Sequence, residues 1–483
     1  MDRLIFYTVG ELESAIRKRE VSSVEVVTAH LAQIDRHNQA LNAVVTVDSA
    51  GALARAGQAD AALARGEVWG PLHGIPVTFK DSIETAGLRT TVGYPPLSDH
   101  VPSSDATVVA RLRAAGAIIM GKTNLPTLAG DGQTDNPVFG RANNPWDVAR
   151  TPGGSTGGGA AAVAAGFSPL EIGTDMLGSV RQPGHYCGVL ALKPTDHRVP
   201  MTGNISGRLN SPRGVRHMVT IGPLARSVDD LELALRIIAG PDEHDWEVPP
   251  VPLDHGFNTP LERLRLAWTD DFGGVPVTHD TRAALEHFAV ELQGHRCPIE
   301  RCAPENFNFT AAWETHGEMR QAEVGSVMTP DVEAEQAVTM GATLTTEDAL
   351  LRGRAGMLNA TMRQYTATLA RRDGLIAALE TFFSSWDALL CPVSVGPAFR
   401  HQKTGAALQV EGLKVPYWMA MWGHCAPFNL TGHPSVVLPI GHSAEGLPIG
   451  VQVVGKLWGD IKLLSIARKL AGIIGPIAHP PGF

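Results

Sequence analysis

The stretch Gly153-Gly-Ser155-Thr-Gly-Gly-Gly159 is the strongest local feature of the sequence. Its glycines permit positive φ angles and a close approach between backbone segments. No Gly-Lys-Ser/Thr follows them, so a phosphate-binding loop is not predicted. The stretch also fits the Gly-x-Ser-x-Gly pattern of a nucleophile elbow, which needs an apolar strand immediately before it. Residues Asp147–Pro152 make a poor strand, and this disfavours an elbow at Ser155.

Two segments on either side of this loop also carry chemically useful residues. Gly173-Thr-Asp-Met-Leu-Gly-Ser179-Val-Arg181 presents a serine after a glycine turn, where several backbone N–H groups can surround an oxyanion. Ile75–Phe79 predicts a buried strand that ends at Lys80. A lysine base must be neutral, and enclosure lowers a lysine pKa from about 10.4 by up to about 3–5 units. Taken singly, the Ser179 segment is weak evidence, because a purely structural turn would have the same residues. The Lys80 segment is equally compatible with an ordinary solvated lysine.

Around these segments the sequence alternates between predicted strands and predicted helices. Thr8 and Ser22 have the capping-box spacing to Glu11 and Glu25, which predicts helices within residues 8–65. Further strands are predicted at Ala117–Met120, Leu170–Gly173, Leu264–Trp268, Ser435–Pro439 and Ile449–Val454, and further helices at 106–115, 160–166, 228–239 and 460–472. This alternation predicts an α/β layered fold.

Three regions carry little motif signal. Residues 308–385 are predicted to be mostly helical and to form a cap over one end of the site. Residues 196–220 are predicted to be a long glycine-containing loop, and loops of that length inside a domain often act as lids. Residues 240–260 contain five prolines and predict a surface connection.

Composition and charge exclude several classes of protein. The 483 residues are 44% hydrophobic with a net charge of −9, and they contain no Lys/Arg block of the kind that binds nucleic acid. We find no signal peptide and no apolar run of about 18 residues, so we expect a cytoplasmic protein without a transmembrane helix. The five cysteines lack Cys-x-x-Cys spacing, which favours inert thiols in a reducing compartment. A metal hydrolase is disfavoured because there is no His-Glu-x-x-His pair, and the acidic run Asp242–Asp245 predicts a solvated loop.

Taken together, the three chemical segments resemble the amidase signature family. Ser155 and Ser179 are 24 residues apart, as in that family. The resemblance extends along nearly the whole chain and includes Gly121-Lys-Thr-Asn124, Asn144-Pro-Trp146, Cys187–Thr195, Gly222–Ser227, Ala426–Leu430 and Gly446–Gly450. It implies one domain over residues 1–483, with a central mixed β-sheet sandwiched by helices. The expected parts are N-terminal helices (1–65), a catalytic core (66–240), a helical cap (308–385) and a C-terminal return to the core (386–483).

The resemblance also implies a Ser–cis-Ser–Lys triad. Ser179 would be the nucleophile, and Ser155, preceded by a cis peptide bond, would relay its proton to Lys80. The implied oxyanion hole consists of the backbone N–H groups of Met176, Leu177, Gly178 and Ser179, and the implied substrate pocket includes Ala129, Gly130 and Thr156. We therefore expect hydrolysis of C–N acyl bonds by a monomer or homodimer, with water and a small amide or carbamate as reactants. No cofactor, metal, nucleic acid or membrane is expected.

The chain departs from the family pattern at a few positions. Leu177 stands where glycine is usual, Thr156 replaces a frequent serine, and His185-Tyr186 replace smaller or apolar residues. Overall, the sequence is most similar to the bacterial urethanases of the family, which predicts carbamates among the substrates. Two alternatives stay open. One is an esterase with a Ser-His-Asp triad centred on Ser155, and the other is the amidase subunit of a tRNA-charging complex.

Overall fold

Thirteen strands run through the residues that the computed structural model describes, which are 4–205, 214–253, 257–325 and 347–483. They are β1 (Val44–Val47), β2 (Pro76–Lys80), β3 (Ile118–Thr123), β4 (Leu170–Asp175), β5 (Leu190–Lys193), β6 (Thr220–Ala225), β7 (Leu266–Trp268), β8 (Ile299–Arg301), β9 (Ala388–Pro392), β10 (Leu408–Val410), β11 (Leu413–Val415), β12 (Ser435–His442) and β13 (Pro448–Val454). Strands β10 and β11 form a separate two-stranded ribbon, and the other described strands form one sheet.

The order of strands in the large sheet brings the predicted chemical segments together. The order is β1-β3-β2-β4-β6-β5-β12-β13-β9-β7-β8. Strand β2 lies between β3 and β4 and is parallel to both, whereas β4 and β6 are antiparallel. Because the carboxyl ends of parallel strands meet at one edge of a sheet, Lys80 at the end of β2 comes close to Thr174 and Asp175 at the end of β4.

Helices cover both faces of the sheet. The described helices are Val9–Arg17, Ser23–Leu41, Ser49–Ala64, Thr107–Ala114, Gly157–Ala164, Arg181–Cys187, Val228–Ile238, His279–Gly294, Phe309–Gly325, Ala349–Gly356, Met362–Ser385, Tyr417–Trp422, Ala426–Leu430 and Asp460–Ile474. Alternate residues of a strand point to opposite faces, so Ile119 of β3 packs in one apolar cluster and Ile118 and Met120 in another. The predicted α/β fold with a central mixed sheet between helices is confirmed.

Several local predictions are also confirmed. The side chains of Thr8, Ser22 and Ser227 cap the helices that follow them, and the first two form complete capping boxes. None of the helices in the described residues has the length and apolar character that a membrane span requires. All five cysteines are free thiols.

Other predictions differ from the structure. The helix after the glycine loop begins at Gly157 rather than at residue 160, because the glycines pack as its first turn. Strand β1 interrupts the N-terminal helical region, and β6 begins at residue 220, the last residue of the predicted 196–220 loop. Residues 206–213 of that loop and 326–346 of the predicted cap lie outside the described residues. The division of the chain into four functional parts stays a prediction.

Candidate active site

Lys80 is enclosed at the edge of the sheet. Its side chain is fully buried, and its Nζ lies 2.6 Å from Ser155 Oγ and 2.8 Å from Thr174 Oγ1. Burial lowers the pKa of Lys80 to about 7, although the negative charges of Asp175 and Glu171 act in the opposite direction. A large fraction of Lys80 is therefore neutral near neutral pH and able to accept a proton. The structure thus excludes the alternative of a solvated lysine.

The glycine loop holds Ser155 through close backbone contacts. The Gly154–Ser155 peptide is cis, as the family resemblance implies, and Ser155 is almost completely buried. A Cβ atom on Gly154 would lie 2.5 Å from Asp131 O, and one on Gly158 would lie 2.4 Å from Asn124 N. No side chain fits at either position, which explains why this loop needs glycine.

Thr156 ties the glycine loop to the Ser179 turn. Its backbone N–H donates to Ser179 O at 3.0 Å, and its hydroxyl donates to Thr174 O at 3.3 Å. Thr156 is fully buried and is not among the residues that line the cavity next to Ser179, contrary to the prediction that it belongs to the substrate pocket. Its position fixes the geometry between Ser155 and Ser179 instead.

The turn before Ser179 is built around a buried ion pair. Asp175 accepts hydrogen bonds from the N–H groups of Gly178 at 2.8 Å and Val180 at 3.1 Å, and from Arg181 Nε at 3.1 Å. Burial raises the pKa of Asp175, but the charge and hydrogen bonds of Arg181, together with Asn429, outweigh it and hold that pKa well below its usual range. Asp175 and Arg181 therefore brace the turn.

The four predicted oxyanion donors are not equivalent. The Gly178 N–H is already engaged by Asp175. In the described part of the chain, the backbone N–H groups of Met176, Leu177 and Ser179 have no acceptor. Gly178 has a φ of 115°, and a Cβ there would lie 2.7 Å from Cys425 Cβ, so glycine is required at this position rather than at Leu177. The side chain of Leu177 thus fits without forcing the turn into another conformation.

Ser155 and Ser179 line one cavity of about 670 Å³. Ala129 and Gly130, the other two predicted pocket residues, line it as well. Among the described residues that line it there is no histidine and no carboxylate. His185, a candidate base for an esterase triad, is committed elsewhere, because its two ring nitrogens bond to Gly396 O and to the backbone N–H of Gly450.

The acidic run at Asp242–Asp245 organises its own loop. Asp242 accepts hydrogen bonds from the Thr107 hydroxyl at 2.6 Å and from the backbone N–H groups of His244 and Asp245. In residues 4–205, 214–253, 257–325 and 347–483, no three His, Cys, Asp or Glu side chains are grouped as metal ligands. The run therefore has a local structural role.

Comparison with known proteins identifies the family. The amidase family model matches residues 25–464. The chain belongs to the amidase family. It is 32% identical to a subunit of the glutamyl-tRNA(Gln) amidotransferase of Synechococcus sp. (strain CC9605), over 96% of this chain and 95% of that protein. It is 33% identical to the indoleacetamide hydrolase of Bradyrhizobium diazoefficiens, over 98% of this chain and 87% of that protein.

The fold of this amidase also matches solved structures. The structure of 6-aminohexanoate cyclic dimer hydrolase complexed with substrate superposes with a TM-score of 0.80 at 25% identity, covering 99% of each chain. The amidase assignment and the superposition both support a hydrolase that acts on amide C–N bonds.

Sequence reasoning did not single out several residues at this amidase site. Thr174 is the second hydrogen-bond partner of Lys80, and Glu171 is buried on the same strand. Burial raises the pKa of Glu171 to about 7, although its hydrogen bond to Thr123 and the charges of Lys122 and Lys80 lower it. The available signal was a charged residue between the apolar residues Leu170 and Ile172 of strand β4.

Proposed function

We propose that this amidase hydrolyses linear amides and carbamates through an acyl-enzyme on Ser179. The observation that carries the proposal is the buried contact of 2.6 Å between Lys80 Nζ and Ser155 Oγ, beside the cavity that Ser179 lines. A neutral serine is a weak nucleophile and needs a base within reach. The burial that lowers the pKa of Lys80 to about 7 supplies one.

In the proposed reaction, neutral Lys80 takes the proton of Ser155, and Ser155 takes the proton of Ser179. The Ser179 oxygen attacks the substrate carbonyl, and the resulting oxyanion accepts hydrogen bonds from the backbone N–H groups of Met176, Leu177 and Ser179. Ser155 then gives a proton to the leaving nitrogen and recovers one from Lys80, and the C–N bond breaks. Water attacks the acyl-enzyme with the same groups as base and acid, which releases the acid and restores Ser179.

Carbamates fit the same reaction. A carbamate carbonyl also passes through a tetrahedral oxyanion, so the same three donors serve it. Attack by Ser179 expels the amine or the alcohol, and carbon dioxide is lost after hydrolysis. The resemblance to bacterial urethanases supports this part of the proposal.

A second candidate is an amidase component that works with other chains. It is favoured by the 32% identity to a subunit of a glutamyl-tRNA(Gln) amidotransferase over nearly the whole chain. This candidate predicts that the single chain is inactive on simple amides. The first candidate predicts that it is active alone.

The test is a hydrolysis panel with the purified single chain. An amide, an ester and a carbamate that carry the same hydrocarbon groups on the two sides of the carbonyl are compared at neutral pH. We expect turnover of the amide and the carbamate, and loss of both in Ser179→Ala. Ser384→Ala is the matched control, because Ser384 is exposed on the Met362–Ser385 helix. Turnover of the ester alone would contradict the proposal, and inactivity on all three would favour the second candidate.

A further inference from the structure

A second cavity adjoins the one at Ser179. This side cavity contains about 300 Å³ of empty space, part of it open to solvent, and lies beneath the Phe309–Gly325 and Ala349–Gly356 helices. Leu177, Arg320 and Trp422 line both cavities. A substrate whose carbonyl lies at Ser179 is therefore within reach of the side cavity as well.

Arg320 stands at the junction of the two cavities. It lies on the Phe309–Gly325 helix and is partly buried. No described residue forms an ion pair or a hydrogen bond with its guanidinium group, and its Nε is buried and unpaired. Burial lowers the pKa of Arg320 to about 10, so the group is still a cation at neutral pH. A partly buried charge without a partner is unfavourable, and an anionic ligand would relieve it.

The other described groups that line the junction offer Arg320 no carboxylate. Arg354 also lines the side cavity, and the described residues that line either cavity include no Asp or Glu. The buried indole N–H of Trp422 has no acceptor among the described residues. Trp418 stacks on Trp422 with ring centroids 5.0 Å apart, which gives the cavity an aromatic wall.

The neighbouring titratable groups do not neutralise Arg320. Burial lowers the pKa of His316 to about 4, and its Nε2 bonds to Met176 O at 3.0 Å, so this ring is a neutral donor. Glu323, one turn further along the helix, accepts hydrogen bonds from the backbone N–H groups of Arg216 and His217 and bonds to the His217 ring. Its carboxylate is thereby directed to the loop that precedes β6.

We propose that Arg320 and the side cavity bind a carboxylate of the substrate. This inference rests on the proposed amide hydrolysis and narrows its substrate class. The preferred substrates are amides or carbamates that carry a carboxylate on the acyl part or on the amine part, several bonds from the scissile carbonyl. Arg320 is a specificity residue in this scheme and takes no part in proton transfer.

The test compares three substrates in the native chain and in Arg320→Met. Pentanoyl-4-nitroanilide is neutral, glutaryl-4-nitroanilide carries a carboxylate on its acyl part, and N-pentanoyl-4-aminobenzoate carries one on its amine part. We expect Arg320→Met to lower kcat/KM for at least one charged substrate by ~10- to 100-fold, the usual effect of losing a charge-assisted hydrogen bond. Its kcat/KM for the neutral substrate stays close to that of the native chain, which also shows that the variant is folded.

Two further variants sharpen the result. Arg320→Lys keeps the charge and is expected to retain most of the preference for the charged substrate. Arg363→Met removes an equal charge from an exposed position on the Met362–Ser385 helix, outside both cavities, and is expected to change no substrate selectively. An equal response of all three substrates to Arg320→Met would overturn the proposal.

Binding of glutarate separates this inference from the proposed function. Isothermal titration calorimetry measures whether glutarate binds to the native chain and to Arg320→Lys but not to Arg320→Met. If glutarate binds in this pattern while no substrate is cleaved, the carboxylate subsite stands and the proposed reaction fails. If the neutral amide is cleaved and glutarate does not bind, the reaction stands and the subsite is wrong.

Discussion

The two sides of the cavity at Ser179 differ in how their polar groups are hydrogen-bonded. On the sheet side, Lys80 bonds to two hydroxyl groups, and Asp175 bonds to the Arg181 side chain and to three backbone N–H groups. On the cap side, which carries the side cavity, Arg320 and the indole N–H of Trp422 have no partner among the described residues. The sheet side is therefore organised before substrate arrives, as proton transfer requires, whereas the cap side completes its bonding only with a ligand.

The largest expected loss of activity comes from replacing Lys80, the proposed base on the sheet side. Replacing Lys80 with Met removes the base, and the loss of a general base lowers rates by ~100- to 10,000-fold. The measurement is kcat/KM for pentanoyl-4-nitroanilide at neutral pH. Retained activity in Lys80→Met would contradict the lysine-base mechanism and would favour the alternative of a Ser-His-Asp esterase.

Lys122 provides a matched control for Lys80. It is equally buried on the neighbouring strand β3, but its Nζ donates to Ile83 O and to the Thr85 and Thr90 hydroxyls. Lys122→Met is expected to lower the free energy of unfolding by ~1–3 kcal/mol, because the buried Ile83 carbonyl and the Thr85 and Thr90 hydroxyls lose a charged donor. The rate per folded molecule should stay near that of the native chain. Urea unfolding together with active-site titration distinguishes the two lysines.

A second prediction concerns the pH dependence of kcat/KM. The base must be neutral, so activity should fall below the Lys80 pKa of about 7 and level off above it. The negative charge of Glu171 raises the Lys80 pKa, which means that Glu171→Gln should shift the acid limb of the profile to lower pH. Profiles between about pH 5 and 9 test this shift. Glu305→Gln, at an exposed position, is the control and should leave the acid limb of the profile unchanged. A shift of the acid limb to higher pH in Glu171→Gln would contradict the assignment of Lys80 as the titrating base.

The contrast between the two sides also explains what the sequence could predict. Ser155, Ser179 and Lys80 lie in short glycine-rich or strand-end segments, and the order and spacing of these segments carry the family resemblance that implied the triad. Their enclosure depends on strands β2 and β4 being neighbours, which follows from long-range pairing and is not visible locally. The engagement of the Gly178 N–H by Asp175 could not be predicted for the same reason.

The cap side was less predictable because its proposed function depends on the absence of a carboxylate partner for Arg320 among the described residues. Arg320 lies on a helix of ordinary composition, and nothing in its neighbours along the chain indicates that it lacks a carboxylate partner among the described residues. Thr156 shows the converse, since a residue next to Ser155 was predicted to line the pocket but is fully buried. The burial of a side chain and its hydrogen-bond or ion-pair partners are properties of the folded chain. A sequence motif predicts them only where it also constrains the backbone.

The smallest expected effect comes from Leu177, where the two sides meet. Leu177 is only 6% exposed and lies at the junction of the cavity at Ser179 and the side cavity, both of which it lines. Leu177→Ala widens the passage between them, so kcat/KM for 4-phenylbutanoyl-4-nitroanilide should rise relative to the acetyl anilide by ~10-fold, as expected from about 1–3 kcal/mol of added apolar contact. Leu408→Ala, buried in the same apolar cluster but lining neither cavity, controls for lost stability. If both variants give the same substrate ratio as the native chain, the Leu177 side chain does not limit the passage between the two cavities.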